Sequence, residues 1–196
     1  TFDSVVPDGN PVTGTLDPFI GAGEALLGPG VQAASSGAFA TGVPYAGPNG
    51  DNSGWNTSPL AGLAALPTDP PISADNPPSK SRWIEFKAST LGFKDIVLAF
   101  DQQYSDTAAN TTVMQYTTDG TNWTDLNTLT ATFSGQYQRG FALPADAADK
   151  AEFAVRMAAD IDPTFGNYKR ADGKTDAASN NGVASPGGTW RFDTVT

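Results

Sequence analysis

Four tryptophans, twenty-one carboxylates and not one histidine or cysteine bound the chemistry open to this 196-residue chain. Without histidine the commonest general base and metal ligand is missing, and with it every Ser-His or Cys-His arrangement. Without cysteine there is no disulfide, thiolate or Cys-metal site. Aromatic rings and oxygen ligands remain. Trp55, Trp83, Trp123 and Trp190 are rings of the kind that stack on the apolar C–H faces of sugars. Trp55, in the loop-like stretch "NGDNSGWNTS", ranks first as a carbohydrate contact, Tyr104 second, and Trp123, beside an Asp-Gly turn, completes the set. The competing reading of each ring is core packing, the commoner fate of a large aromatic.

The oxygen ligands concentrate in "ADIDPTFGNYKRADGKTDAASNNG", which holds Asp160, Asp162, Asp172 and Asp176. Calcium takes 6–8 oxygen ligands, backbone carbonyls included. These four are therefore candidate calcium ligands, set against the plain reading of a solvated loop. Lys169, Arg170 and Lys174 dilute the field there. Any ion would be calcium rather than zinc, for want of nitrogen and sulfur ligands. Glycoside hydrolysis needs two positioned carboxylates. Glu85 and Asp101 are available, but no spacing singles out a pair. The chain reads as a non-enzyme.

Charged residues are 16% of the chain, well below the average of about 25%, and the formal net charge is −10. That balance argues against nucleic acid, whose phosphates need clustered Lys and Arg. No run approaches the roughly 18 apolar residues of a membrane span. Residues 1–79 carry seven acids, no base and 12 of the 15 prolines, while all 11 bases lie at or after Lys80.

Residues 1–79 read as a loop-rich, acidic part, in which "GEALLG" suggests one helical turn. Residues 80–196 read as regular strands. Ile84 and Phe86 alternate with Glu85 and Lys87; Ile96, Leu98 and Phe100 share a face; Phe153, Val155 and Met157 do likewise. Strands are expected near 83–88, 95–101, 112–118, 123–126, 136–142, 152–158 and 190–195, with one short helix or turn in "PADAADKAEF". "TFDSVV" and "RFDTVT" echo each other at the two ends and are expected to be neighbouring strands. The whole predicts a single all-β domain over 1–196: an antiparallel two-sheet β-sandwich of jelly-roll type with a Gly/Pro-rich N-terminal segment.

"MQYTTDGTNWTDL" (114–126) reads as strand, tight turn, strand, because Asp-Gly supplies the positive φ angles a tight turn needs. "TTDGTNW" is similar to the Asp-box turn of sialidases and related secreted proteins, with Trp123 one position early. In those proteins the box is structural, so the resemblance implies no catalytic role for Asp119. More broadly, "FKDIVLAFDQQYSDTAANTTVMQYTTDGTNWTDL", "VRMAAD" and the closing "GGTWRFDTVT" resemble the β-sandwich module of bacterial exported, surface-anchored or extracellular-matrix proteins.

That resemblance implies an extracellular or cell-surface location. It fits an expectation of a structural subunit that associates with copies of itself into a layer, matrix or filament through strand contacts. The alternative expectation is a calcium-dependent module that binds a polysaccharide.

Overall fold

A computed structural model describes residues 10–16, 22–42, 53–63, 77–176 and 181–196. Its strands are β1 (Gly23–Leu27), β2 (Gln32–Ala33), β3 (Phe39–Thr41), β4 (Ser53–Ser58), β5 (Trp83–Ala88), β6 (Val97–Tyr104), β7 (Thr111–Thr117), β8 (Thr124–Thr130), β9 (Gly135–Ala142), β10 (Ala154–Asp160) and β11 (Trp190–Asp193). One turn of 3-10 helix, Ala145–Ala147, falls inside "PADAADKAEF". Sheet A has the order β1-β5-β10-β7-β8. Sheet B has the order β2-β4-β11-β6-β9, with β3 also paired to β4. Every ladder is antiparallel. The chain is an all-β, two-sheet sandwich.

Alternation decides which side chains face inward. Ile84, Phe86, Met114, Tyr116, Val155 and Met157 project from sheet A, and Trp55, Phe100, Tyr104, Trp190 and Phe192 meet them from sheet B; all are buried. Phe86 joins the layers, with Trp55 at 5.8 Å and Phe192 at 6.0 Å between ring centroids, both edge-on. Each such buried ring contributes about 1.5–3 kcal/mol of burial free energy.

The strand-rich part runs close to the sequence reading, with shifted ends. β6 starts at Val97 rather than at 95 because Asp95 has φ 53 and cannot enter a ladder. β8 runs past 126 through a polar edge, "TDLNTLT", where alternation is too weak to mark an end.

Two readings of the first part are corrected. "GEALLG" is strand β1, not a helical turn. Four residues between glycines cannot nucleate a helix, whereas β5 offers the segment a complete register, Gly23 opposite Ala88 through Leu27 opposite Ile84. "SGWNTS" is the interior strand β4, not a loop. It lies between β11 and the β2 and β3 pair, and all six residues are buried. With both faces covered, its sequence shows no alternation. A Cβ on Gly54 would stand 3.2 Å from Gly42 Cα, so glycine permits the approach. Residues before 80 thus build into both sheets. "RFDTVT" contributes β11, and "TFDSVV" lies outside the described residues.

The Asp-Gly hairpin is a tied corner. Asp119 Oδ1 accepts from the backbone N–H groups of Thr121 (2.9 Å) and Asn122 (2.7 Å) and from the Thr117 hydroxyl (3.0 Å). Asn122 Nδ2 donates to Asp119 Oδ2 at 2.6 Å. These bonds, Asn122's first, hold the carboxyl well below its ordinary range. Gly120 takes φ 73 beside it.

Candidate functional site

The three rings expected to meet sugar separate. Trp55 is 3% exposed in β4 and Tyr104 1% exposed in β6, so neither presents a ring face to solvent. The Tyr104 hydroxyl shares a hydrogen bond with Thr112 Oγ1 at 2.9 Å, and burial pushes it up to about 12. Trp123 is half-buried at the surface of sheet A. The reading of Trp55 as a loop residue failed because a polar strand covered on both sides carries no periodic signal.

The four aspartates expected to bind calcium are occupied or apart. Asp162 is buried and accepts from Asn110 Nδ2 (3.0 Å), Thr164 N (2.9 Å), Thr164 Oγ1 (2.7 Å) and Phe165 N (3.0 Å). Those bonds outweigh desolvation and hold its carboxyl at about 2. Asp172 is clasped by Arg170, Nε to Oδ1 at 2.6 Å and Nη2 to Oδ2 at 2.7 Å. Asp160 accepts from Ser79 Oγ and from Ile161 N. Asp176 is exposed. Among the described residues no three His, Cys, Asp or Glu side chains stand together as a metal site. Glu85 and Asp101 occupy outer faces of different sheets, and Asp101 accepts from Thr194 Oγ1 at 2.6 Å.

Two surface features absorb residues whose roles the sequence did not show. The first is an apolar mouth between the sheets. A pocket of about 190 Å³ opens where β1 and β5 face the start of β6 and the chain's last residues; Phe86, Ile96, Leu98, Leu143, Phe153 and Val195 line it. The connection 89–96 forms one lip. It presents Leu91 (55% exposed) and Phe93 (67%), and Val97 follows at 61%. "STLGFKD" reads as a turn, so only the odd placement of Leu and Phe within it signals a surface role. Among the described residues β1 is the edge strand beside this mouth, with Gly23 at its rim.

The second is the outer face of sheet A. Glu85, Arg156 and Gln115 are lateral neighbours on β5, β10 and β7. Arg156 Nε donates to Gln115 Oε1 (2.6 Å), Gln115 Nε2 to Asp125 Oδ1 (2.5 Å), and Lys80 Nζ meets Asp125 Oδ2 at 2.5 Å. The Arg156 guanidinium also lies over Trp123 and Trp83. Next to this row is a groove of about 340 Å³ that takes in Glu24, Glu85, Lys87 and Glu152.

No protein-family model matches the chain, and neither does any curated protein sequence. Among the described residues no helix is long and apolar enough to cross a membrane.

Proposed function

We propose that the chain is a non-catalytic structural protein of the cell surface or extracellular matrix that associates with copies of itself into a layer or filament. The mouth between the sheets supports this reading. An open edge strand beside an apolar cleft is a template for an added strand, whose backbone pairs with the edge while alternate side chains enter the cleft. Among the described residues β1 is that edge, and Leu91, Phe93 and Val97 add apolar surface at the lip. Such a cluster on a small domain marks an interaction surface.

The segment proposed to enter is "TFDSVV" of a neighbouring copy, which carries Phe2, Val5 and Val6 within one strand's length. A segment of one copy docking on a different surface of the next is a head-to-tail contact, and such contacts propagate. The test is sedimentation velocity of the full chain beside Phe93→Asp. Concentration-dependent oligomers that the substitution abolishes support the reading. A monomer at all concentrations overturns it.

The alternative, a calcium-dependent polysaccharide-binding module, draws on Trp123 and on Trp83, both half-buried on the outer side of sheet A. A polysaccharide that quenches tryptophan emission in the full chain but not in Trp123→Ala would support it.

A further inference from the structure

An edge strand offers its unpaired N–H and C=O groups to any strand that reaches it, and folded chains blunt such edges. Among the described residues the edges are β1 and β8 in sheet A, and β2, β3 and β9 in sheet B. β2 and β3 are two and three residues long, too short to hold a partner. β8 carries an extra residue, Leu126, where Met114 pairs with Asn127 and Gln115 with Asp125, and such a bulge bends the strand. β9 is the exception. Its eight residues keep one register with β6, from Gly135 opposite Tyr104 to Ala142 opposite Val97. Gln136, Gln138, Gly140 and Ala142 face outward, exposed and uncharged. By length β9 is a better template than the five residues of β1.

Arg139 is the one charged residue of β9, and it points into the sandwich. It stands opposite Phe100, which is 2% exposed, and shares that face with Tyr137 and Phe141. Among the described residues its Nε and Nη2 are buried without an acceptor, and it joins no ion pair. The side chain is half-buried, so part of it still meets water. That water lies on the open side of the sandwich. β6 and β7 meet through the Tyr104–Thr112 hydrogen bond, so their outer neighbours β9 and β8 flank one side. A strand added to β9 would cross that side and complete the burial of a cation without a counter-charge, a costly step.

We propose that Arg139 bars the β9 edge from pairing with the β9 edge of a second copy, and so leaves β1 as the edge through which copies associate. The role given to β1 rests on the self-association reading; the bar on β9 does not. The excluded partner is a second copy because β9 is complementary to itself. Two β9 strands related by a two-fold axis run antiparallel, and both present an uncharged outer row. Continuous sheet faces require inward residues to come opposite inward residues. Arg139 is central in β9, so a register that pairs most of the strand sets the two guanidinium groups opposite or diagonal to each other. Like charges at those positions repel, here on a face where Arg139 already lacks acceptors.

The experiment is sedimentation velocity of the full chain, Arg139→Met, Arg139→Lys, Phe93→Asp and the double variant Phe93→Asp/Arg139→Met, with hydrogen exchange of the β9 amides beside it. Phe93→Asp disables the mouth beside β1 and so separates the two edges. In that background Arg139→Met should raise the weight-average mass at least about twofold, the step from monomer to dimer, and slow exchange over residues 136–140. Arg139→Lys keeps the charge and should sediment as its parent. A full chain that is monomeric at every concentration defeats the self-association reading, and the comparison of Arg139→Met with its parent still decides the bar on β9. An Arg139→Met chain that sediments as its parent in both backgrounds would overturn the proposal. So would slow exchange over 136–140 in oligomers of the full chain, a readout that does not depend on how the variant folds.

Discussion

The Arg156 guanidinium lies 4.2 Å from the centre of the Trp123 ring, and Trp83 flanks it on the other side at 5.6 Å. Arg156 is on β10, Trp83 on β5, and Trp123 just before β8, so one cation ties together the outer side chains of strands spanning sheet A. Cation–π contacts of this kind contribute about 0.5–2 kcal/mol. Arg156→Ala is expected to red-shift tryptophan emission and lower stability by about 1–2 kcal/mol, read by denaturant titration. Arg156→Lys should recover only part, because a point ammonium does not reproduce the planar guanidinium that stacks and bonds Gln115. Full recovery would contradict a role for stacking.

Glu85 carries a pH signature. Burial raises its carboxyl above the ordinary value, ahead of the lowering by Lys87 and Arg156, and Glu24 raises it further. The native state therefore holds a proton that the unfolded chain has lost, in the window from about pH 4.3 up to the raised native value. Within that window stability falls as pH rises. Glu85→Gln should remove this slope and raise Tm at pH 7 by about 2–4 °C. A lower Tm across the range would show that the carboxylate's attraction to Lys87 and Arg156 outweighs its desolvation.

Asp162 has the opposite sign. Its folded value near 2 lies below the ordinary one, so its stabilisation is present above about pH 4 and is lost as pH falls toward 2. Asp162→Ala strands the donors of Asn110, Thr164 and Phe165 and should cost about 2–3 kcal/mol. Millimolar calcium is expected to leave Tm unchanged, since the Asp162 and Asp172 oxygens already have donors from the chain. A rise of several degrees with calcium, reversed by a chelator, would show that this region rearranges around an ion.

Arg139 projects inward from edge strand β9 beside the Tyr104 hydroxyl, its guanidinium carbon 4.5 Å from the Tyr137 ring centre, with Nε and Nη2 buried and, among the described residues, without hydrogen-bond partners. Replacing such a group with an apolar side chain of similar length removes a desolvation cost. Arg139→Met should unfold at equal or higher denaturant concentration than the parent. A loss of more than about 2 kcal/mol would show that the charge is compensated.

β5, β7 and β10 were legible because the buried large apolar side chains Ile84, Phe86, Met114, Tyr116, Val155 and Met157 recur at every second position. β4 was not, since "SGWNTS" has Trp55 as its only large apolar residue and so shows no alternation, and Trp55 was misplaced with it. β1 was misread because "EALL" favours helix locally, while the open edge of β5 decides its conformation. The groove escaped notice for a topological reason. Glu24, Glu85 and Glu152 are 61 and 67 residues apart in sequence, and only the β1-β5-β10 order makes them neighbours. The mouth was hidden because Leu91 and Phe93 sit in a turn, where no periodicity assigns them a face.

Deleting residues 1–10 and adding them back as a free peptide tests strand-mediated self-association most directly. The shortened chain should keep its melting transition, sediment as a monomer, and bind the peptide, with NMR shifts concentrated at Ile96, Val97, Leu98 and Val195. The peptide should also block oligomers of the full chain in proportion to its concentration. A shortened chain that still assembles, or a peptide that shifts none of these resonances, would contradict the account.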